Sequence, residues 1–491
     1  MKNRNIKKWC WVNKGMSVLE VLIAIAVITL SISASIMLVF SNQSITLDTD
    51  SASEALYKAK TQLEEARAKA QENFIGLKNN SSTTENIYTK QLSVTDLTPC
   101  LKRAMSKVSW ATEVLRPQTL ELTTDVAGIK EAMKIGDGCS DVTLEDWLNP
   151  QTYDSQDLIP GGNSGTDVDV IKINGRKYAF VTSFINNDAK DDFWVFDLEV
   201  YPTPIISKLN TGYGLNALDI VRDPNTNKFY AYVAHASSSA QLQVIDVTDP
   251  YKPILKKEVS LPGVGGSYPE GREVFYYDNH VYVGTRETAG NEFHIFDVTV
   301  RDNPVWRGSR EINHSVNKIS VSGNNAYLAT TGNQNELVVL DISDPALITP
   351  SFPGVGNPEP WRFDAAGDAD GTAVFSIGNK VYLGRERSTS NPDIYILDVS
   401  TPSNPSVINS KNLNLNPSTA SVIDIVVNNN FMFLGTSDSN REFQVWKLTN
   451  LSNVWSYFNF PQAAVGLDFL DEKIYAAVKS NDALHIIYDQ N

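Results

Sequence analysis

Residues 243–253 read QVIDVTDPYKP, and this run decides the fold. An apolar strand ends in Asp246, and a turn follows through Pro250 and Pro253. The signature recurs as WVFDL at Asp197, HIFDV at Asp297, VVLDI at Asp341 and YILDV at Asp398. Two degenerate copies, QVWKL with Lys447 and HIIYD with Asp489, extend the set. Ahead of each copy stands an aromatic residue in a strand-like stretch: Phe180, Tyr232, Tyr282, Tyr327, Tyr382, Phe433 and Tyr475. These recur at intervals of 42 to 55 residues. Self-similarity on that scale marks a repeat fold, in which each unit buries its faces against its neighbours.

Seven such units, each of four short strands, describe a β-propeller. Each signature Asp is expected to accept hydrogen bonds from the backbone of the next turn, with Pro fixing that turn. These aspartates are therefore read as structural, not catalytic. The sequence stops at Asn491, after the third strand of the seventh copy. An unpaired strand edge needs a partner, and a strand within residues 140–165 is expected to supply it. The V-x-D-V-(S/T)-x-P pattern resembles the LVIVD-type propeller repeat.

Outward from the repeat, the N-terminus has a different character. Residues 1–15 read MKNRNIKKWCWVNKG, basic with no acid. Residues 16–40 are apolar with one charge, Glu20. A run of that length can span a bilayer, with the basic flank on the cytoplasmic side. A secretory signal would be shorter and end in a small-residue site, and a plain signal anchor leaves the costly Glu20 unexplained.

The stretch Gly15-Met16-Ser17-Val18-Leu19-Glu20 resembles the type IV prepilin processing motif. The resemblance implies cleavage after Gly15 by prepilin peptidase and N-methylation of Met16, where the family usually has Phe. It also implies that Glu20 pairs with the new amine of a neighbouring pilin subunit, neutralising a buried charge and setting the register.

From Met16 to Ile75 there is no Gly or Pro, and residues 48–75 are amphipathic, with Ala52, Ala55, Leu56, Ala59, Leu63, Ala66 and Ala70 on one stripe. Glu54–Lys58 and Glu65–Lys69 are i,i+4 pairs of favourable polarity. Residues 77–98 read as a loop, and the segments around Trp110 and Leu122 as short strands. Cys10 lies in the leader; Cys100 and Cys139 remain, an even number in an exported chain, either joined in a disulfide or buried as two thiols.

The expected fold class is therefore mixed. It comprises a leader (1–15), a long N-terminal α-helix, transmembrane then amphipathic (16–76), a small α+β pilin-like module (77–150) and an all-β seven-bladed propeller (151–491).

Chemistry is sparse. The net charge of −15 argues against nucleic acid as a bulk-charge partner. No CxxC or H-E-x-x-H occurs, and no nucleophile–base pair can be placed, so no catalytic residue and no cofactor is assigned. Asp364, Asp368 and Asp370 in one loop, and Asn187, Asp188, Asp191 and Asp192 in another, have the oxygen-rich character that suits calcium. Neither loop matches the twelve-residue calcium motif. Trp194, Trp306, Trp361, Trp446 and Trp455 are core residues or contacts for sugar or protein.

The leading expectation is a minor or tip subunit of a type IV pilus. It would sit in the cytoplasmic membrane before assembly and at the bacterial cell surface afterwards, displaying the propeller to a protein or glycan. The alternatives are a pseudopilin scaffold of a secretion or DNA-uptake system and a membrane-tethered propeller enzyme.

Overall fold

Strand hairpins recur through the chain because every repeat but the second joins its first two strands through only two residues. Asn174-Gly175, Asp278-Asn279 and Asp471-Glu472 have positive φ at both positions. That is the requirement of a type I′ hairpin, whose twist matches that of its strands.

The computed structural model describes residues 51–67, 69–70, 77, 82–98, 101–111, 117–127 and 147–490, apart from 160, 162, 185–189, 224, 267–268, 349–360 and 429–430. Among them are eight four-stranded antiparallel sheets. Seven form blades, whose inner strands are Ser164–Ile173, Leu215–Arg222, Gly271–Tyr277, Val316–Ser322, Gly371–Ile377, Val422–Asn428 and Ala464–Leu470. Each inner strand touches the next, and the seventh touches the first. The sheets thus close into a ring, the arrangement of a β-propeller.

The seventh blade takes its fourth strand from upstream. Pro150–Asp157 pairs antiparallel with Asp482–Asp489, with Thr152 opposite Ile487. The donor strand falls within the window expected from sequence, and its pairing removes an open edge at the point where the ring closes.

Seven apolar clusters lie between adjacent blades. One joins Phe180, Phe193 and Val195 of the first blade to Leu218, Ile220 and Val233 of the second. Another joins Leu484 and Ile486 of the seventh to Val168, Val170 and Trp194 of the first. Fully burying one such side chain contributes roughly 1.5–3 kcal/mol. The third strands are buried on both faces, as in Phe193–Asp197, which explains their unbroken apolar runs.

The expected mixed fold with a long N-terminal helix is overturned: the described residues are nearly all β. Their helix covers residues 51–67 and 69–70, and no described helix is long and apolar enough to cross a membrane. The helical stretch is a polar, one-faced element. Ala55, Ala59, Leu63, Ala66 and Ala70 are buried, whereas Ala52 and Leu56 are exposed. Ala55 and Ala59 pack with Tyr88, Val108 and Trp110, and Lys58 pairs with Glu54 at 3.4 Å and with Glu85 at 3.1 Å.

Tyr88 belongs to a sheet of strands Thr83–Glu85, Tyr88–Thr98, Leu101–Ala111 and Pro117–Ala127. The loop expected at 77–98 is thus largely strand. Tyr88 and Leu92 are buried on one face of their strand, with half-buried Thr89 and Lys90 and exposed Gln91 between them, a pattern that the Thr- and Ser-rich composition obscures. Gly15, Met16, Glu20, Cys100 and Cys139 lie outside the described residues.

Candidate functional site

The inner strands carry charge at alternating positions, and ring closure turns those side chains toward one another. Lys318 of the fourth blade reaches Glu273 of the third at 3.3 Å and Asp424 of the sixth at 3.9 Å. Burial works against the charge on Lys318, but Asp424, Glu273 and Asp167 outweigh it and hold the ammonium well above its usual pKa. Burial likewise pushes Asp167 up to about 6 and raises Glu273 and Asp424. In blade seven, Gly466 leaves room for Asp167, whose carboxylate a Cβ there would strike.

A second set consists of Asp169, Asp219 and Asp468. Burial raises Asp468 to about 7, and burial together with Asp468 and Asp219 raises Asp169. These acids are tied to backbone. Asp167 accepts Leu218 N–H at 3.1 Å, Asp169 accepts Ile220 N–H at 2.6 Å and Asp219 accepts Tyr276 N–H at 2.6 Å. Asp424 accepts Leu467 N–H at 2.7 Å, and Asp468 accepts Val170 N–H at 2.7 Å. Each bond runs from one blade to the next, so the acids stitch the ring together. None was singled out in the sequence; the available signal was charge alternating with apolar residues in Asp167-Val168-Asp169.

A further set of acceptors immediately precedes the third strands of blades one to six; of these only Asp192 is among the sequence candidates, as a calcium ligand rather than a turn acceptor. Asp192, Glu292, Glu336, Asp393 and Glu442 are buried. They accept N–H groups from Thr211, Ile312, Ala365, Leu413 and Phe460, respectively. Gln241 does the same for Leu261 at 3.0 Å. The third strand is thus bracketed by two acceptors, of which the sequence reading used only the later one.

The later acids behave as expected. Asp197, Asp246, Asp297, Asp341 and Asp398 each accept the N–H two residues on, at 2.8–3.0 Å. Asp489 instead accepts the N–H groups of Trp147 and Asn149, both at 2.9 Å, and so caps the approach to the donated strand.

Among the described residues, the candidate calcium residues do not gather into a cation site. Asp191 pairs with Lys208 at 2.7 Å, and Asp192 accepts from the Thr211 backbone and hydroxyl. Asn187 and Asp188 lie outside the described residues. Among the described residues, no group of three His, Cys, Asp or Glu side chains is gathered to hold a metal ion. Three of the histidines, His235, His294 and His485, are buried: His235 bonds the Ala240 carbonyl through Nδ1, and burial lowers His294 to about 4.

Of the tryptophans, Trp194 and Trp446 are core residues, whereas Trp306 is exposed. Trp455 lines a cavity of about 430 Å³ between the outer edge of blade six and the donated strand. Tyr457, Phe458 and Asn459 form one wall, and Asn149 and Gln151 the other. No lining residue carries a charge. Ser456 turns inward and donates its hydroxyl to the Trp147 carbonyl, which leaves Tyr457 outward and 54% exposed. A cavity of this size with aromatic walls and a few amides can hold a small polar ligand by contact alone.

A family model for the LVIVD repeat matches residues 229–260 and 314–352, within the second and fourth blades. The chain carries LVIVD repeats. No curated protein matches it. Among solved structures, the computationally designed Ika8 protein is similar over 69% of this chain and 99% of its own, at 14% identity and a TM-score of 0.43. A chain of the mitotic checkpoint complex is similar over 72% of this chain and 96% of its own, at 9% identity and a TM-score of 0.49. Neither likeness adds to the fold described above.

Proposed function

We propose that this chain is a minor or tip subunit of a type IV pilus and displays its propeller as a surface-binding module for adhesion. The observation that carries the reading is the coexistence of two unlike parts in one sequence. One is the basic leader ending in Gly15, followed by Met16 and Glu20 within an apolar run; the other is the LVIVD-repeat ring. Prepilin peptidase, neighbouring pilins, the cytoplasmic membrane and a surface ligand are its proposed partners. No catalytic role is assigned. A ring of seven blades is too bulky to repeat closely along a thin filament, so a tip position or sparse incorporation follows.

The test is mass spectrometry of the mature N-terminus. A chain beginning at N-methyl-Met16 is the expected result. A chain that still begins at Met1 overturns the pilus assignment and leaves the propeller untouched.

A further inference from the structure

We infer that the cavity between blade six and the donated strand binds a neutral oligosaccharide. This rests on the proposed reading of the propeller as a binding module and names the ligand class for it. Three features point to that chemistry. First, the wall carries Trp455 and Tyr457, two positions apart at the outer strand Ser456–Phe458 and so on one face roughly 7 Å apart, with Tyr457 exposed and Trp455 half-buried against the core between blades six and seven. Aromatic side chains on that spacing can stack against the apolar faces of consecutive sugar rings. Second, the opposite wall presents the amides of Asn149 and Gln151, which bond each other at 2.9 Å. Paired amides have donors and acceptors suited to hydroxyl groups, which both give and take hydrogen bonds.

Third, the lining is uncharged although the chain carries 99 ionisable Asp, Glu, Lys and Arg side chains. No lining residue offers an acidic glycan a cation, although one stands beside the cavity. The nearby Lys447 ammonium lies over the Trp455 ring at 4.5 Å. The cavity also needs the ring to be closed, since one wall comes from the strand donated at residues 150–157.

The experiment applies the full-length protein to an array of neutral oligosaccharides, their sialylated and sulfated counterparts, and uncharged peptides. Binding to neutral glycans is expected. Tyr457→Ala should weaken it at least tenfold with an unchanged melting temperature, and Tyr457→Phe, which keeps the ring, should restore most of it. Equal preference for acidic glycans, binding only to peptides, no binding, or a Tyr457→Ala variant that binds normally overturns the inference. Peptide binding at this cavity leaves the adhesion reading standing. Normal attachment by cells lacking the gene removes the adhesion reading even where the purified protein binds sugar.

Discussion

The Asp468 carboxylate of the seventh blade accepts the Val170 N–H of the first at 2.7 Å, so the ring is closed by a side chain as well as by strand packing. Asp468 also accepts Phe469 N–H at 2.8 Å. Asp468→Ala strands both donors and is expected to cost about 1–3 kcal/mol. Asp468→Asn removes a buried charge beside Asp169 and keeps one acceptor, but turns its amide NH2 toward the other N–H, so it should cost less than Asp468→Ala without being stabilising. Urea unfolding followed by tryptophan fluorescence separates the two. Equal loss in both variants would mean that the charge itself matters.

These buried acids fix the sign of the pH dependence. Asp167 is raised to about 6 and Asp468 to about 7, both from an ordinary carboxyl value of 3.8. The folded state therefore holds protons that the unfolded chain has released. Their contribution is fully present below about pH 4 and is lost as the pH rises through 6 and 7; for Asp167 it is on the order of 3 kcal/mol. Glu273, Asp424 and Asp169, which share this interior, are raised in the same direction. The facing cation, Lys318, is held above its usual value and stays charged throughout this window. Surface acids such as Glu85 and Asp125 are lowered by their cationic partners and act in the opposite sense, but only below the usual carboxylate range. The urea midpoint should fall between pH 5 and pH 8, and less steeply in Asp167→Asn. A midpoint that rises over that range contradicts the assignment.

Lys318 faces Glu273, Asp424 and Asp167. Lys318→Met leaves these carboxylates without their cation and should cost roughly 3–5 kcal/mol at pH 8. At pH 5 the loss should shrink, because protonated acids no longer need the ammonium. A loss independent of pH would indicate a packing defect instead.

How far this interior was legible depends on periodicity. The blade count, the turn role of Asp246 and its equivalents, and the upstream donor strand all follow from a repeat with one strand lacking. The inner-strand acids did not, because an alternating Asp-Val-Asp pattern also describes a strand with a wet face; only closure of the ring shows that this face is interior. The residues before the third strand were visible in Asp192-Phe193, Glu292-Phe293 and Glu442-Phe443, yet their partners lie about twenty residues downstream. Trp455 was noticed but could not be told from Trp446, which is core, without knowing which blade has the short outer strand Ser456–Phe458. In the sheet at 83–127 the segments around Trp110 and Leu122 are strands as expected, and only its first two strands differ from the expected loop, because Thr and Ser suit both loops and strands.

The turn aspartates are equivalent in sequence but not in cost. Asp197 is 2% exposed and, besides capping Glu199 N–H, holds Arg176 at 2.6 Å. Asp246 caps Thr248 N–H at 3.0 Å from a half-buried position. Asp197→Ala should therefore cost about 2–3 kcal/mol and Asp246→Ala about 1 kcal/mol. Thermal melts of the two variants check the order. Equal losses would mean that the Arg176 pair adds nothing.

The strongest structural dependence is on residues far from the repeat that they complete. Trp147 packs edge-on against Phe433 at 4.8 Å, its N–H is held by Asp489, and Pro150–Asp157 then forms the outer strand of blade seven. Removing 147–157 exposes strand 482–489 and deletes a buried indole, a loss of roughly 3–5 kcal/mol for the tryptophan alone, before any lost strand pairing. Such a chain should melt well below the intact protein and aggregate through the exposed edge. A synthetic peptide of residues 147–158 added in trans should restore part of the melting temperature, because the missing piece is a strand with a defined register rather than a covalent constraint. A deletion variant that melts like the parent would show that three strands suffice for blade seven and that closure does not rest on the donated strand.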